Sequence, residues 1–385
     1  MQPLEGVRVV DMATLLAGPE TARYLADFGA DVIKVEPPAG DGTRRMGWTI
    51  EGDTDSLMWK LVSRNKRSAV LDLKSDEGLD AMRRLLAEAD VLVENLRPGR
   101  LEGLGLAPDD LLAANPRLVI LRVSGFGQDG PYADRPGFAT LAEALSGFAA
   151  VNGEPGGAPL LPPIALADEV TGLVGAFAVM VALRHAERTG EGQVVDVNLL
   201  ESMLQIMGPL AGAYAHLGYE QPRLGAGIPY SVPRGTYECA DGTWVAISTS
   251  AESVAGRVMD LVGLGTDPRF ETFQGREAHR AEIDDHMREW IGARHAQEVF
   301  DAFVEAQAAI APVYTSADVA DDPHLRHREA LIEVDGLVMQ GLVARFSATP
   351  GAVRHAGRPL GVDTDAVLDE VGRRGPDATS PEEGG

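Results

Sequence analysis

Between residues 7 and 124 short apolar runs alternate with longer amphipathic ones, and this alternation constrains the fold more than any other feature of the chain. VRVVDM (7–12) reads as a strand, GPETARYLADFGA (18–30) as a helix ending at a glycine, and DVIKVE (31–36) as a second strand. The pattern continues with the strand SAVLDL (68–73), the helix DEGLDAMRRLLAEA (76–89), the strand DVLVEN (90–95), a helix near 108–114 and the strand LVILRVS (118–124). Strands separated by helices pair in parallel. The expected class is therefore α/β, a doubly wound sheet covered on both faces that binds ligands at the carboxyl ends of its strands.

Further along, RTGEGQVVDVNLLESMLQ opens with a turn, a strand and a helix, and QPRLGAGIPYSVPRG (221–235) has the glycine and proline content of a linker. GTYECADGTWVAIST (235–249) reads as a hairpin with an Asp-Gly turn, followed by charge-rich helices to about residue 320. This change of texture marks a second, smaller domain. MQGLVARFSATPG (339–351) returns to strand-like texture, and PDATSPEEGG (376–385) has the composition of a disordered tail.

Acidic residues outnumber basic ones 58 to 34, a formal charge of −24, which argues against nucleic acid or an anionic membrane as a main partner. The single cysteine, Cys239, excludes an internal disulfide framework and a multi-cysteine metal site, so a reducing cytoplasm is the simplest setting. The N-terminus has no basic and apolar signal regions, and the longest apolar runs stop short of the ~20 residues of a membrane helix.

One stretch carries candidate chemistry. In LADEVTG, Asp168 and Glu169 stand directly ahead of a run, Val170–Leu183, whose only polar side chain is Thr171. Adjacent acids there serve either as a helix cap or, beside the small residues Ala167, Gly172 and Gly175 that would leave room for a ligand, as a nucleophile for an activated acyl group. A dinucleotide-binding reading fails because the first turn, ATLLAGPE, lacks G-x-G-x-x-G, although Glu36 ends the second strand where a ribose-binding acid would stand. His324 and His327 lack a third metal ligand, and neither a nucleophile elbow nor a phosphate-binding P-loop is present. Basic residues nevertheless cluster at strand edges, in RNKRS (64–68), at Lys74, in NLRPGR (95–100) and in GPYADRPG (130–137). They are either solvated loop charges or the seat of a phosphate-rich ligand.

GVRVVDMATLLAGP, GADVIKVEPPAGDGTR, NKRSAVLDLKSDEG, DVLVENLRPG, NPRLVILRVSGFGQDGPYADRPGF, LADEVTG and RTGEGQVVDV occur in the order characteristic of the family III CoA-transferases, and the chain resembles that family over nearly its whole length. The group includes formyl-CoA transferase, carnitine CoA-transferases and α-methylacyl-CoA racemase. The resemblance implies a large Rossmann-like domain built from both chain ends (1–200 and 330–375), a linker at 201–224, a small α+β domain at 225–329, and an interlocked homodimer. It implies CoA transfer from an acyl-CoA to a carboxylic acid, with Asp168 as the nucleophile and Glu169 turned elsewhere on the helix. CoA and acyl-CoA are then substrates, with no tightly bound cofactor and no metal. For CoA it points to Leu71, Lys74, Asn95 and Leu96, with Arg97, Arg100, Arg135 and Phe138 close by.

Three departures from the family pattern bear on specificity. LEGLG places Gly103 where a basic residue is usual, so Arg97 or Arg100 takes over the phosphate contact; Leu16 stands where some formyl-CoA transferases have a glutamine; and Phe138 stands where racemases have a histidine base. Phenylalanine carries no proton, which ranks transferase above racemase. A noncatalytic acyl-CoA binder would keep the basic loops without needing Asp168. Arg234 is either a linker arginine or a partner for the second carboxylate of a dicarboxylic substrate.

Overall fold

A computed structural model of the chain describes residues 2–373, and the tail expected at 376–385 lies outside them. The chain divides into two compact units, one of Met1–Ser146, Pro162–Met207 and His324–Gly385, the other of Gly147–Leu161 and Gly208–Pro323. The first contains a six-stranded sheet in the order β3-β2-β1-β4-β5-β6. Its strands are β1 (Arg8–Asp11), β2 (Asp31–Glu36), β3 (Lys66–Val70), β4 (Val91–Glu94), β5 (Val119–Ser124) and β6 (Gln193–Asn198), all paired in parallel. The order reverses between β1 and β4, the switch point beside which doubly wound sheets bind ligands.

Both faces of this sheet are covered, which is why β1, β2, β4 and β5 read as nearly unbroken apolar runs. On one face Val10, Ile33, Leu92 and Ile120 pack against the helix Asp76–Ala87, through Met82, Leu85 and Leu86, and against Val367 and Val371 of the C-terminal helix Thr364–Arg373. Ser75 starts the first of these by accepting the Gly78 N–H at 3.1 Å, with Asp76 and Glu77 in the first turn where the helix dipole favours acids. The alternate residues Val93 and Leu121 meet the helices Ala17–Asp27 and Leu166–Thr189 on the other face.

Sequence and structure differ at four places. β3 begins at Lys66, two residues earlier than SAVLDL suggested, because Lys66 is buried through ionic pairing rather than exposed. The expected linker at 201–224 is largely helical, with Leu199–Ile206 and Leu210–Leu217, and residues 147–161 and 208–224 group with the second unit. The segment 339–351 is mostly loop, since only Leu337–Gln340 pairs, with Leu331–Val334. Finally, Leu166–Thr189 is long and apolar enough to cross a membrane by length and composition alone, because Thr171 and the glycines do not interrupt it. It is only partly buried within its unit: Ala167, Gly172, Gly175 and Val179 are covered, whereas Leu173, Phe177, Met180 and Val181 are exposed.

The second unit has a three-stranded antiparallel sheet, β7 (Arg234–Glu238), β8 (Trp244–Ser248) and β9 (Ala309–Pro312). Tyr237, Val245 and Ile247 pack against Met287, Ile291 and Phe303 of its helices, and Cys239 is buried in this core. The Asp-Gly turn forms where the sequence placed it, with Gly242 at φ +80°.

Candidate active site

The long helix starts at Leu166, with Ala165 as its N-cap residue and no capping hydrogen bond from that side chain. Asp168 is therefore not the cap. That service comes from Glu143, a buried residue of the short helix Ala139–Leu145, which accepts the Ala167 N–H at 3.2 Å. Asp168 is left half-buried in the first turn, facing the backbone N–H of Ala17, the first residue of the helix Ala17–Asp27. Two helix N-termini thus meet at one carboxylate.

The small residues have a different role from the one expected. A Cβ on Gly172 would lie 2.7 Å from Glu20 Cβ, and one on Gly175 would lie 2.3 Å from Thr21 Oγ1. They leave room for the helix Ala17–Asp27 and not for a ligand. Thr21 Oγ1 seals this approach by donating to the Gly172 carbonyl at 3.1 Å. Close contact of the two backbones is what brings the Ala17 N–H to Asp168.

Four carboxylates share this region. Burial raises the Asp168 pKa from 3.8 to about 6, with Glu143 and Glu20 adding negative charge and the Ala17 N–H opposing them. Glu169 does not turn away to solvent: it is half-buried, and burial together with Glu20 and Asp168 raises it to about 7 against the pull of Arg23. A carboxylate that is ionised near neutrality yet poorly solvated is a stronger nucleophile than one in water.

The loop that presents Ala17 is held by two buried lysines, one of them from the RNKRS cluster. Lys34 and Lys66, on β2 and β3, are each about 1% exposed. Lys34 pairs with Asp41 at 3.0 Å and donates to the Ala13 carbonyl; Lys66 pairs with Asp11 at 2.9 Å and donates to the Pro19 carbonyl at 2.6 Å. Asp11 also accepts the Ala13 N–H at 3.1 Å. Between these anchors Leu15 adopts φ +63°, a left-handed conformation costly for a leucine and retained because its neighbours over-determine it.

The residues expected to hold CoA all follow the carboxyl ends of β3, β4 and β5. Leu71, directly after β3, is buried in the core, while Lys74 is exposed. Asn95 spends its amide on the strained loop, donating to the Thr14 carbonyl at 2.7 Å and accepting the Thr14 N–H at 2.8 Å. Leu96 is half-buried, and its N–H is accepted by Glu94 at 2.7 Å. Arg97 and Arg100 are exposed, as is Gly103. Beyond β5 the loop folds back so closely that a Cβ on Gly125 would lie 2.7 Å from Gly137 Cα. This return places Phe138, 61% exposed, and Arg135, stacked 3.7 Å from the Tyr132 ring centre, on the same edge.

RNKRS does not belong to this edge. It lies at the amino end of β3, where Arg64 is fully buried against Asp27 at 2.6 Å and Arg67 pairs with Asp31 and Glu370. Glu36 binds no ribose; it is buried and paired with Arg44 at 2.7 Å. A cavity of about 530 Å³ beside β5 and β6 is lined by Asp129, Asp196 and Glu201 and by no basic side chain, the wrong charge for phosphate. In the second unit Arg234 is half-buried on β7, not an exposed linker residue, and donates to the Ala226 carbonyl at 2.8 Å at the edge of a pocket of about 400 Å³ that Arg280 also lines.

The six-stranded parallel sheet agrees with what comparison finds. The model of CoA-transferase family III matches residues 4–364, and the chain belongs to that family and is an enzyme of the CoA-transferase class. The succinyl-CoA–L-malate CoA-transferase beta subunit of Chloroflexus aurantiacus is 41% identical, covering 96% of this chain and 94% of the relative. The succinate–glutarate CoA-transferase of Agrobacterium fabrum is 33% identical over 96% of each. Among solved structures, a CaiB/BaiF family protein from Brucella suis superposes with a TM-score of 0.86 at 33% identity, covering 96% of this chain and 99% of that one.

Proposed function

We propose that this enzyme moves CoA between dicarboxylic acids through covalent intermediates on Asp168. The Asp168 carboxylate attacks the thioester carbonyl of the acyl-CoA, giving a mixed anhydride and CoA thiolate. The thiolate then attacks the aspartyl carbonyl, releasing the donor acid as its carboxylate and leaving an aspartyl-CoA thioester. The acceptor carboxylate enters by the reverse sequence. One thioester replaces another, so the exchange needs neither a resident cofactor nor a metal. The observation that carries this reading is the half-buried Asp168 carboxylate facing the Ala17 N–H, poised to ionise near neutrality.

The names of the relatives support dicarboxylic substrates, with succinyl-CoA or a close homologue as donor and a four- or five-carbon dicarboxylic acid as acceptor. Lys74, Arg97 and Arg100 are exposed at the sheet's carboxyl edge and form no side-chain ion pair among the described residues, which suits them to the CoA phosphates. Leu71, Asn95, Leu96, Arg135 and Phe138 complete that edge, Asn95 acting by shaping the loop 13–17. The working form is a cytoplasmic homodimer, interlocked as in the family, with a large domain made from both chain ends. Its second copy covers the apolar side chains Leu173, Phe177 and Val181 of the long helix, which are 45–71% exposed in the single chain.

Incubation with succinyl-CoA followed by hydroxylamine or borohydride tests the chemistry. The expected result is a modified peptide containing ALADEVTG, absent from the Asp168→Asn variant. Exchange of the substrate's α-proton with deuterated solvent, without any adduct, would overturn the reading in favour of racemisation.

A further inference from the structure

Asn95 follows β4 directly and begins the segment that carries Arg97 and Arg100. Its half-buried amide meets one residue of the neighbouring loop twice: Nδ2 donates to the Thr14 carbonyl at 2.7 Å, and Oδ1 accepts the Thr14 N–H at 2.8 Å. Adjacent strands pair in this way, but here a side chain supplies one partner. Ionised aspartate and leucine, of similar size, lack one or both of the groups required. A Cβ on Gly18 would lie 3.8 Å from Asn95 Cβ, so the same side chain stands beside the loop both before Leu15 and after Ala17.

The anchor is itself held. Glu94 accepts the Leu96 N–H at 2.7 Å, and the buried Arg122 of β5 pairs with Glu94 and with Glu102 at 2.8 Å each, so one guanidinium ties both ends of the segment 94–102. On the other side only Leu15 and Leu16 separate Thr14 from Ala17, and Leu15 is the residue at φ +63°. A leucine stays in the left-handed region only while its neighbours hold it there. The Ala17 peptide in turn lies against the long helix. Thr21 Oγ1 is within hydrogen-bond reach of both the Ala17 and the Gly172 carbonyls, at 3.2 and 3.1 Å, and a Cβ on Gly172, one turn beyond Asp168, would lie 3.4 Å from the Ala17 oxygen.

We propose that Asn95 is a positioning residue for the nucleophile: its amide ties the turn at Leu15 to the rigid segment 94–102 and so fixes the Ala17 N–H in front of Asp168. The proposal rests on Asp168 being that nucleophile. Thr14 is exposed, so water can take over its two backbone groups when the amide is removed; the chain then keeps its fold and loses the alignment. Glu143, Glu20 and Glu169 surround Asp168 with charge that a substitution at Asn95 leaves in place. A change in the ionisation of Asp168 therefore reports the Ala17 N–H, which favours the charged carboxylate.

The test uses Asn95→Ala and Asn95→Leu, the second keeping the size of the side chain should the first fail to fold. At saturating substrate and neutral pH, kcat should fall roughly 10- to 100-fold, the scale of a small misplacement of reacting groups. CoA affinity by calorimetry should stay at the parent's value, and the acid limb of the kcat profile should move to higher pH. An unchanged kcat, an unmoved acid limb, or a loss confined to CoA affinity would overturn the proposal, the last by making Asn95 a CoA contact. Hydrogen exchange of a peptide spanning residues 12–17, without substrate, judges the clamp apart from the chemistry. Its amides should exchange severalfold faster in both variants, and exchange at the parent's rate would also overturn the proposal. Failure to trap an adduct at Asp168 in the parent would instead sink the nucleophile assignment, leaving the exchange rates to decide whether Asn95 holds the loop.

Discussion

Replacing Asp168 by asparagine should destroy activity and stabilise the protein, and the size of the gain follows from the site. The folded chain raises the Asp168 pKa from 3.8 to about 6, so between those values the native state binds more of this proton than the unfolded state does. Stability then falls as pH rises through that window and levels off above it, the opposite of an aspartate held low by a salt bridge. At ~1.4 kcal/mol per tenfold change in proton affinity, the ionised carboxylate costs the fold on the order of 2–3 kcal/mol above pH 6. Asparagine keeps the volume and an acceptor for the Ala17 N–H but never ionises. The expected difference between variant and parent is near zero at pH 4 and grows to roughly 2–3 kcal/mol by pH 7. Urea midpoints of both proteins at several pH values measure it, alongside a transferase assay that should read zero for the variant. A variant that is less stable at neutral pH, or a difference that does not change with pH, would refute the idea that Glu143, Glu20 and burial hold this carboxylate under electrostatic strain.

Gly175→Ala should destabilise by ~1–3 kcal/mol, because its Cβ meets Thr21 Oγ1 at 2.3 Å, whereas Gly256→Ala, in an exposed helix position with no atom within 4 Å, should stabilise by up to ~1 kcal/mol. Equal effects on their denaturation midpoints would show that the two helices do not meet through Gly175. Alanine at Lys74, Arg97 or Arg100 should weaken CoA binding severalfold by calorimetry, with the loss shrinking as salt rises. If all three variants bind as the parent does, the carboxyl-edge basic residues are not the phosphate contacts.

The sheet was legible because its signal is local. Val9, Val10, Ile33, Leu92 and Ile120 had to be apolar wherever the chain went, and periodicity reports such requirements directly. The Asp-Gly hairpin and the helix at Asp76 were legible for the same reason, since Gly242 and Ser75 act on their own neighbours. LADEVTG drew attention as acids ahead of an apolar run, and that composition is visible without a fold.

What Asp168 experiences was decided elsewhere. Its cap comes from Glu143, 25 residues earlier in the chain, and its N–H donor from Ala17, 151 residues earlier. Gly172 and Gly175 signalled space without saying for what, because a missing side chain leaves the same mark in a sequence whether a ligand or a helix fills the gap. Lys34 carries no sequence signal, and Arg64 and Lys66, in RNKRS, read as loop charges or a phosphate seat, yet all three are buried, since charge is tolerated inside a protein only when folding delivers a partner such as Asp41, Asp27 or Asp11. Pattern and propensity belong to neighbouring residues and survive in the sequence alone; burial, pairing and the electric field at a carboxylate are sums over distant parts of the chain, and these come into being only once it has folded.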